Sequence, residues 1–400
     1  MEFRISEVAA TAARLQRDGD DPVCAYLYDL TALRRHVDRI VSSLPANCEM
    51  FYAVKANAER PLLAELAGRV HGFEVASGGE IAWVREQFPE APLLFGGPGK
   101  LDSELQLALE QGVELIHVES LGELRRLARL LEQGDRRQPI LLRMNLAPPS
   151  LPRTTLTMGG GPTPFGIDPA ELPACLDLIA SQPRLVLRGF HFHLVSHQLD
   201  AAAHLALLAD YFAQLRAWQT EFGLACEEIN VGGGIGINYR EPQRQFDWDA
   251  FSSGLGELIE REGLQRLRVR FECGRYLTAP CGYYLMEVLD LKRNHGQWFA
   301  VCRGGTHHFR TPAAQGHSHP FVRLPGRAGG ATVRNARISV VGQLCTPKDM
   351  LARDVEVDEI AVGDRLLFSL AGAYAWNISH QQFLRHPAPL VHYLDDTEAA

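Results

Sequence analysis

Eight alternating strand and helix units between residues 49 and 272 limit most strongly what this chain can fold into. Each unit is a short apolar run followed by a segment whose apolar residues recur at helical spacing. The predicted strands are 49–55, 72–76, 92–95, 115–118, 139–144, 185–193, 228–231 and 269–272. Eight such units are typical of a TIM-like (β/α)8 barrel, which we place at residues 31–276. A doubly wound sheet is the structural alternative, but the number of units favours the barrel.

The rest of the chain has the pattern of a second, β-rich domain. Short strand-forming runs are separated by Gly, Pro and charged turns at the spacing of an all-β fold. These runs are Tyr283–Lys292, Gln297–Cys302, Arg334–Val341 and Arg365–Leu370. Because the early run Val23–Tyr28 has the same character, we predict a β-barrel or sandwich built from residues 1–30 and 277–400.

Charge and cysteine usage narrow the function classes. The net charge of −8 gives no basic footprint for nucleic acid or an acidic membrane surface, and no apolar run approaches the length of a membrane span. The eight cysteines include no C-x-x-C pair, which argues against a zinc ribbon and a disulfide framework. We therefore expect a cytoplasmic protein that acts on a small molecule.

Chemically active residue types end several predicted strands, where a barrel places its catalytic groups. Lys55 follows the apolar run 51–54, and His193, Gly232 and Glu272 end three other strands. Burial lowers the pKa of a lysine toward the range in which its amine is a nucleophile, which suits a Schiff base with an aldehyde cofactor. From this stretch alone, a lysine that extends to solvent is an equal alternative.

A glycine run and a carboxylate suggest how such a cofactor would be held. Gly232, Gly233 and Gly234 follow a strand, where backbone N–H groups can approach a phosphate; a plain turn is the alternative. Glu272 can pair with a pyridinium nitrogen, and Arg275 can clamp a phosphate or carboxylate. An internal Glu–Arg ion pair is the simpler interpretation of these two residues.

The histidines admit a metal but do not require one. His191 and His193 share one strand face, yet no further ligand with fitting spacing follows, so we interpret His191 as a core residue and predict no metal site. A histidine at the barrel mouth can instead stack on a planar cofactor. The segment 304–320 adds four more histidines, for which substrate recognition or loop structure is favoured over zinc.

Six motifs in order resemble the fold type III pyridoxal-phosphate decarboxylases, the group of diaminopimelate, ornithine and arginine decarboxylases. They span residues 23–374, nearly the whole chain. The motifs are Tyr52–Asn57, His193–Ser196, Gly232–Gly234, Glu272–Arg275, Gly342–Cys345 and Gly372–Tyr374. The resemblance implies an alanine racemase-like fold, a pyridoxal 5'-phosphate cofactor, carboxy-lyase activity and a homodimer with composite active sites.

The same resemblance implies a role for each matching residue. Lys55 would form the Schiff base, His193 would stack on the ring, Glu272 would hold the ring proton, and Cys345 of the partner subunit would protonate the carbanion. The implied phosphate contacts are Ser196, Gly232, Gly233, Gly234, Gly274, Arg275 and Tyr374.

Departures from the family pattern concern the substrate. The acid that follows the cysteine in ornithine and diaminopimelate decarboxylases is replaced by Thr346, so a distal ammonium is a poor fit. The residue before Ser196 is Val195 instead of the usual glycine, and Cys273 stands in place of a proline. The histidine-rich segment resembles the branch that serves siderophore assembly (staphyloferrin B, achromobactin, vibrioferrin), which implies a citryl-diaminopropionate type conjugate. The candidate substrate contacts are Arg310, His317, His319 and Lys348.

Three other functions compete with this interpretation. Diaminopimelate decarboxylase is the nearest, although Thr346 argues against it. An alanine-type racemase would need a tyrosine acid-base, whereas this chain has the Gly342–Cys345 motif. A non-catalytic cofactor carrier or regulatory homologue belongs to a different class, and the joint presence of Lys55, Glu272 and Cys345 argues against it.

Overall fold

The N-terminal elements lead into an eight-stranded barrel. Helix α1 spans Ile5–Arg14 and strand β1 spans Cys24–Asp29. The structure, a computed structural model, describes residues 4–15, 21–132, 134–151, 156–326 and 330–396, so parts of the predicted segments 1–30 and 277–400 lie outside the described residues.

The predicted barrel is confirmed, with eight parallel strands that close on themselves. In chain order these are β2 (Cys48–Ala53), β3 (Gly72–Val75), β4 (Leu93–Phe95), β5 (Leu115–Val118), β6 (Gln138–Arg143), β8 (Leu185–His191), β10 (Glu228–Asn230) and β11 (Arg268–Cys273). Two short strands, β7 (Leu156–Thr157) and β9 (Val195–Ser196), pair with each other at the barrel mouth. Buried Phe51, Leu94, Leu115 and Leu141 form a separate apolar cluster of strand residues.

Helices surround the barrel, and four of those in the described residues begin at a side-chain cap. They are α2 (Leu30–Ser42), α3 (Arg60–Leu66), α4 (Gly78–Gln87), α5 (Asp102–Glu110), α6 (Leu121–Glu132), α7 (Leu172–Ser181), α8 (Ala201–Phe222) and α9 (Trp248–Arg261). The side chains of Asp29, Ser77, Asp200 and Asp247 each accept a backbone N–H of the first turn. Such caps satisfy donors that would otherwise lack a partner. Among the described helices, none is long and apolar enough to cross a membrane.

The second domain is a mixed sheet to which both ends of the chain contribute. Its strands are β12 (Gly282–Asn294), β13 (Gln297–Cys302), β14 (Phe321–Leu324), β15 (Thr332–Val341), β16 (Met350–Ala361), β17 (Arg365–Phe368) and β18 (Leu390–Leu394), with short helices α10 (Arg275–Thr278) and α11 (Thr311–Gln315). Strand β1 pairs antiparallel with β12 and parallel with β18, so the predicted assignment of Val23–Tyr28 to this domain holds. The boundaries at residues 31 and 276 stay predictions.

Lys55 does not end a strand as expected. Strand β2 stops at Ala53, and Lys55 lies in a single 3₁₀ turn, Val54–Ala56. The β domain explains the break, because Asn377 Nδ2 donates to the Lys55 carbonyl (2.7 Å) and the Tyr374 N–H donates to the Ala56 carbonyl (2.8 Å). These carbonyls are paired with the second domain instead of continuing the strand ladder.

Aromatic stacking also joins the two domains. The ring of Tyr239, in the loop after β10, lies 4.8 Å from that of His317 and 6.0 Å from that of His197, nearly parallel to both. His319 Nε2 lies 2.7 Å from the Ser369 carbonyl, and its Nδ1 lies 3.1 Å from His317 Nε2. Since a carbonyl can only accept, His319 is protonated on Nε2, and His317 therefore donates to His319.

Candidate active site

A cavity lies at the barrel mouth, and several of the predicted site residues line it. Its lining includes Lys55, His193, Ser196, Gly234, Glu272, Gly274, Arg275 and Tyr374. Glu74, Arg143 and His191, none of which the sequence analysis placed in the site, line the same cavity.

Lys55 is paired with a carboxylate that the sequence analysis missed. Its Nζ donates to Glu74 Oε2 at 2.6 Å, and the side chains are 44% and 4% exposed, respectively. Burial by itself would lower the pKa of Lys55, but Glu74, Tyr374 and Glu272 together outweigh it, and the pKa lies above its ordinary value. Glu74 is thus placed to receive the proton that the ammonium must lose before its nitrogen can attack a carbonyl.

The signal for Glu74 was present in the sequence. It is a lone charged residue in β3, whose four residues are all buried. Arg143 is likewise the last residue of buried β6, and it donates to Glu119 Oε1 at 2.7 Å. A charged residue near the carboxyl end of an apolar barrel strand points to the mouth, and this reasoning was applied only to Lys55 and Glu272.

The glycine run packs against its neighbours with no room for a side chain. A Cβ on Gly233 would lie 2.2 Å from the Glu272 carbonyl oxygen, and one on Gly232 would lie 2.3 Å from His193 Nδ1. Gly232 also has φ +70°, where other residues are strained. Glycine at these positions therefore lets the run pack against His193 and Glu272, and Gly234, the next residue, lines the mouth cavity.

His193 takes part in the same arrangement as a neutral ring. Its Nδ1 accepts the Gly233 N–H at 3.2 Å, so the ring proton is on Nε2. Burial, reinforced by the positive charges of Arg143 and Lys55, lowers the pKa of His193 well below its ordinary value. A neutral ring facing the cavity suits stacking on a planar group.

Arg275 is fixed between two tyrosines. Its Nη1 donates to the Tyr239 hydroxyl at 2.9 Å, and its guanidinium lies 4.5 Å from the centre of the Tyr374 ring. Tyr374 has φ +49°, an uncommon conformation for a residue other than glycine, and its backbone is held by Ala56. Both side chains are therefore oriented before any ligand binds.

Glu272 lines the same cavity and lies among buried polar groups. Its Oε1 accepts from Asn230 Nδ2 at 2.8 Å, and its two oxygens lie 3.3 Å from nitrogens of His117 and His191. These donor atoms lie within 4.8 Å of one another, a spacing that a metal ion can bridge. Nearby Arg143 opposes a divalent cation at this position. The absence of a metal stays a prediction.

Cys345 and the predicted substrate residues lie elsewhere in the chain. Cys345 is exposed and is not among the residues that line the mouth cavity. Arg310, His317 and Lys348 line a second cavity of about 640 Å³ in the β domain. His319 is 2% exposed and lies behind His317, so its direct contact with a substrate stays a prediction.

Known proteins similar to this chain cover both domains. Residues 30–279 match the family described as "Pyridoxal-dependent decarboxylase, pyridoxal binding domain". The 2-[(L-alanin-3-ylcarbamoyl)methyl]-2-hydroxybutanedioate decarboxylase of Staphylococcus aureus is 46% identical over 382 residues, which cover 94% of this chain and 95% of that protein. A diaminopimelate decarboxylase of Bacteroides thetaiotaomicron is 29% identical over 355 residues, 87% of this chain and 90% of that protein. In fold, the diaminopimelate decarboxylase of Helicobacter pylori complexed with L-lysine is similar with a TM-score of 0.83 at 23% identity, over 94% of this chain and 93% of that one.

Proposed function

Because the chain belongs to the pyridoxal-dependent decarboxylases, we propose that it removes carbon dioxide from a siderophore precursor, a citryl-diaminopropionate type conjugate. The observation that carries the choice of substrate is the chemistry of the β-domain cavity. Its lining holds three permanent cations, Arg310, Lys348 and Arg353, and no carboxylate. A substrate whose far end carries several carboxylates matches such a surface, whereas a distal ammonium does not.

The mouth cavity fits pyridoxal phosphate. Lys55 would supply the amine, and Gly234 would present backbone to the phosphate, while Gly232 and Gly233 let the run pack against His193 and Glu272. Arg275 and Tyr374, fixed against each other, would contact the phosphate together with Ser196. Glu272 would face the ring nitrogen, and the neutral His193 would stack on the ring.

Bound pyridoxal phosphate supplies an electron sink for the electron pair that remains when carbon dioxide departs. Lys55 holds the cofactor, and Glu74 accepts the proton that Lys55 must lose. Glu272 would hold a proton at the ring nitrogen of the cofactor. The carbon that loses carbon dioxide must then receive a proton from a timed acid.

We assign that acid to Cys345 of a partner subunit. Cys345 is exposed and does not line the mouth cavity of its own chain, which supports a composite site at a homodimer interface. Lys348, three residues further on, would bring the cationic cavity to the same site, so that acid and distal contacts arrive together. Sedimentation analysis should give the mass of a dimer. A monomer at the concentration used for the activity assay would contradict this assignment.

The distal contact falls mainly on Arg310 and Lys348. Burial lowers the pKa of His317 to about 4, and its Nε2–H is directed to His319. A neutral His317 therefore offers a carboxylate no free donor. We propose that it shapes the cavity while the permanent cations bind.

Carbon dioxide release with a substrate panel tests the proposal. The citryl conjugate should be decarboxylated in preference to diaminopimelate, ornithine and lysine. Lys348→Ala should raise KM for the conjugate about 10-fold or more, which corresponds to one lost charge-assisted contact, and should leave kcat nearly unchanged. Lys292→Ala, at another exposed lysine of the β domain, is the matched control. Release from diaminopimelate alone would sink the proposal in favour of the alternative decarboxylase.

A further inference from the structure

A closed layer of polar side chains crosses the barrel interior beside Glu272. His117 on β5, His191 on β8, Asn230 on β10 and Glu272 on β11 contribute one side chain each, and none is more than 7% exposed. Such groups cost stability unless they satisfy one another, so their arrangement is informative.

Asn230 sets the orientation of the whole layer. Its Oδ1 accepts the Gly232 N–H at 2.8 Å, which assigns the other side of the amide as the donor. Asn230 Nδ2 then donates to Glu272 Oε1 at 2.8 Å and faces His117 Nε2 at 3.4 Å. One buried amide thus links the backbone of the glycine run to the side chain of Glu272.

The proton on His117 follows from this orientation. Because a donor faces Nε2, that nitrogen carries the lone pair, and the ring proton belongs to Nδ1. His117 Nδ1 lies 3.3 Å from Glu272 Oε1. Burial, together with nearby His191, lowers the pKa of His117 well below its ordinary value, so the ring is neutral. Its Nδ1 lies against the carboxylate but makes no hydrogen bond among the described residues.

His191 approaches the second oxygen of the carboxylate. Its Nε2 lies 3.3 Å from Glu272 Oε2, and its ring centre lies 4.2 Å from that of His117. Burial and the charge of Arg143 lower the pKa of His191 as well. Two neutral rings and one amide therefore lie against Glu272, and His191 lines the mouth cavity together with it.

We propose that His117, His191 and Asn230 are positioning residues that keep the carboxylate of Glu272 aimed at the ring nitrogen of the cofactor. Donors that face a carboxylate stabilise its charged form. A carboxylate held in this position favours a proton on the ring nitrogen of the cofactor. This inference rests on the proposed role of Glu272 and adds the residues that make that role effective.

The tautomer of His117 can be tested without cofactor or turnover. In cofactor-free protein with ¹⁵N-labelled histidine, the signal lost in His117→Leu should report a ring with its proton on Nδ1, and it should not titrate between pH 5.5 and 8. A proton on Nε2, or a charged ring, would overturn the inference and leave the proposed function untouched.

The effect on the cofactor is measured by the ¹⁵N resonance of ring-labelled pyridoxal phosphate bound to each variant. His117→Leu and His191→Leu should shift it toward an unprotonated pyridine and weaken cofactor binding on the order of 10-fold, whereas His117→Asn, which retains an N–H at the same branch point, should restore the parental shift. His204→Leu, at a buried histidine of α8, is the control for core packing.

Glu272→Gln distinguishes the role of Glu272 itself from the role of the residues that position it. If Glu272→Gln moves the resonance and the histidine variants do not, the positioning inference is wrong and the role of Glu272 stands. If Glu272→Gln leaves the resonance unchanged, both are wrong. If His117→Leu does not fold, His117→Asn, His191→Leu and the cofactor-free tautomer still decide the question.

Discussion

The ion pair between Lys55 and Glu74 gives a prediction about stability that needs no cofactor. Lys55→Ala removes the group that donates to Glu74 at 2.6 Å and leaves a carboxylate that is 4% exposed. Breaking a buried pair from one side costs about 3–5 kcal/mol, but the 44% exposure of Lys55 lets solvent screen the pair, so we expect about 1–3 kcal/mol.

The second substitution should return most of that loss. In Lys55→Ala/Glu74→Gln neither of these two positions carries a charge, so no unpaired carboxylate is left there. The double variant should therefore be more stable than Lys55→Ala, with a coupling energy of about 1–2 kcal/mol. Urea unfolding of the cofactor-free proteins, followed by tryptophan fluorescence, measures each step. Lys292→Ala, at an exposed lysine, should change nothing.

The pH dependence gives an independent check. Burial raises the pKa of Glu74, and loss of Lys55 should raise it further. A folded state with a raised carboxyl pKa binds the proton more tightly than the unfolded chain, so the deficit of Lys55→Ala should shrink as pH falls from 8 toward 5. A Lys55→Ala deficit that is equally large with Glu74→Gln, or independent of pH, would refute the reasoning.

Three further predictions test other parts of the molecule. Gly232→Ala places a Cβ 2.3 Å from His193 Nδ1, at a residue whose φ of +70° favours glycine, so cofactor affinity measured by equilibrium dialysis should fall about 10-fold or more. Gly99→Ala, whose Cβ would lie in open space, is the control and should bind the cofactor as the parent protein does. Burial lowers the pKa of His204 to about 4, so folding should lose up to about 3 kcal/mol as pH falls from about 6.5 to 4; His204→Leu should show a shallower loss in acid unfolding, and an unchanged slope would contradict this. Cys345→Ala should slow carbon dioxide release about 100-fold or misdirect protonation, with Cys226→Ala as control, and full activity would exclude the thiol as the acid.

The barrel was predictable because its information is local. Each barrel strand is a buried apolar run, and each helix repeats its apolar residues at helical spacing, so a short window suffices. The β domain was harder. Strand β16 (Met350–Ala361) alternates charged and apolar residues, and the sequence analysis did not identify it, although it pairs with β15 along most of its length. Strands β14 and β18 were also missed. Their partners β17 and β1 lie far away in sequence, so no local pattern indicates the pairing.

The site was predictable where its residues form contiguous motifs. Gly232–Gly234 and Glu272–Arg275 stand together in the chain, so their pattern is visible. Glu74 and Asn230 lie singly in buried strands, and the role of each depends on a partner from another part of the barrel, Lys55 and Glu272 respectively. The position of Lys55 beyond the end of β2 depends on contacts from residues more than 300 positions later, which no local pattern encodes.

The pairing of β1 with β12 and β18 has a consequence for synthesis of the chain on the ribosome. All six residues of β1 are buried in the finished protein, yet its first partner, β12, emerges only after about 260 further residues and β18 after about 370. At roughly 5–20 residues per second, these delays are about 10–50 s and about 20–70 s. The barrel can close only once β11 (Arg268–Cys273) has emerged, shortly before β12, and until β12 arrives β1 presents an apolar strand with two unpaired edges. The newly translated amino terminus is therefore the segment we expect molecular chaperones to engage first, and its capture by a neighbouring nascent chain is the aggregation route that the late arrival of β18 leaves open.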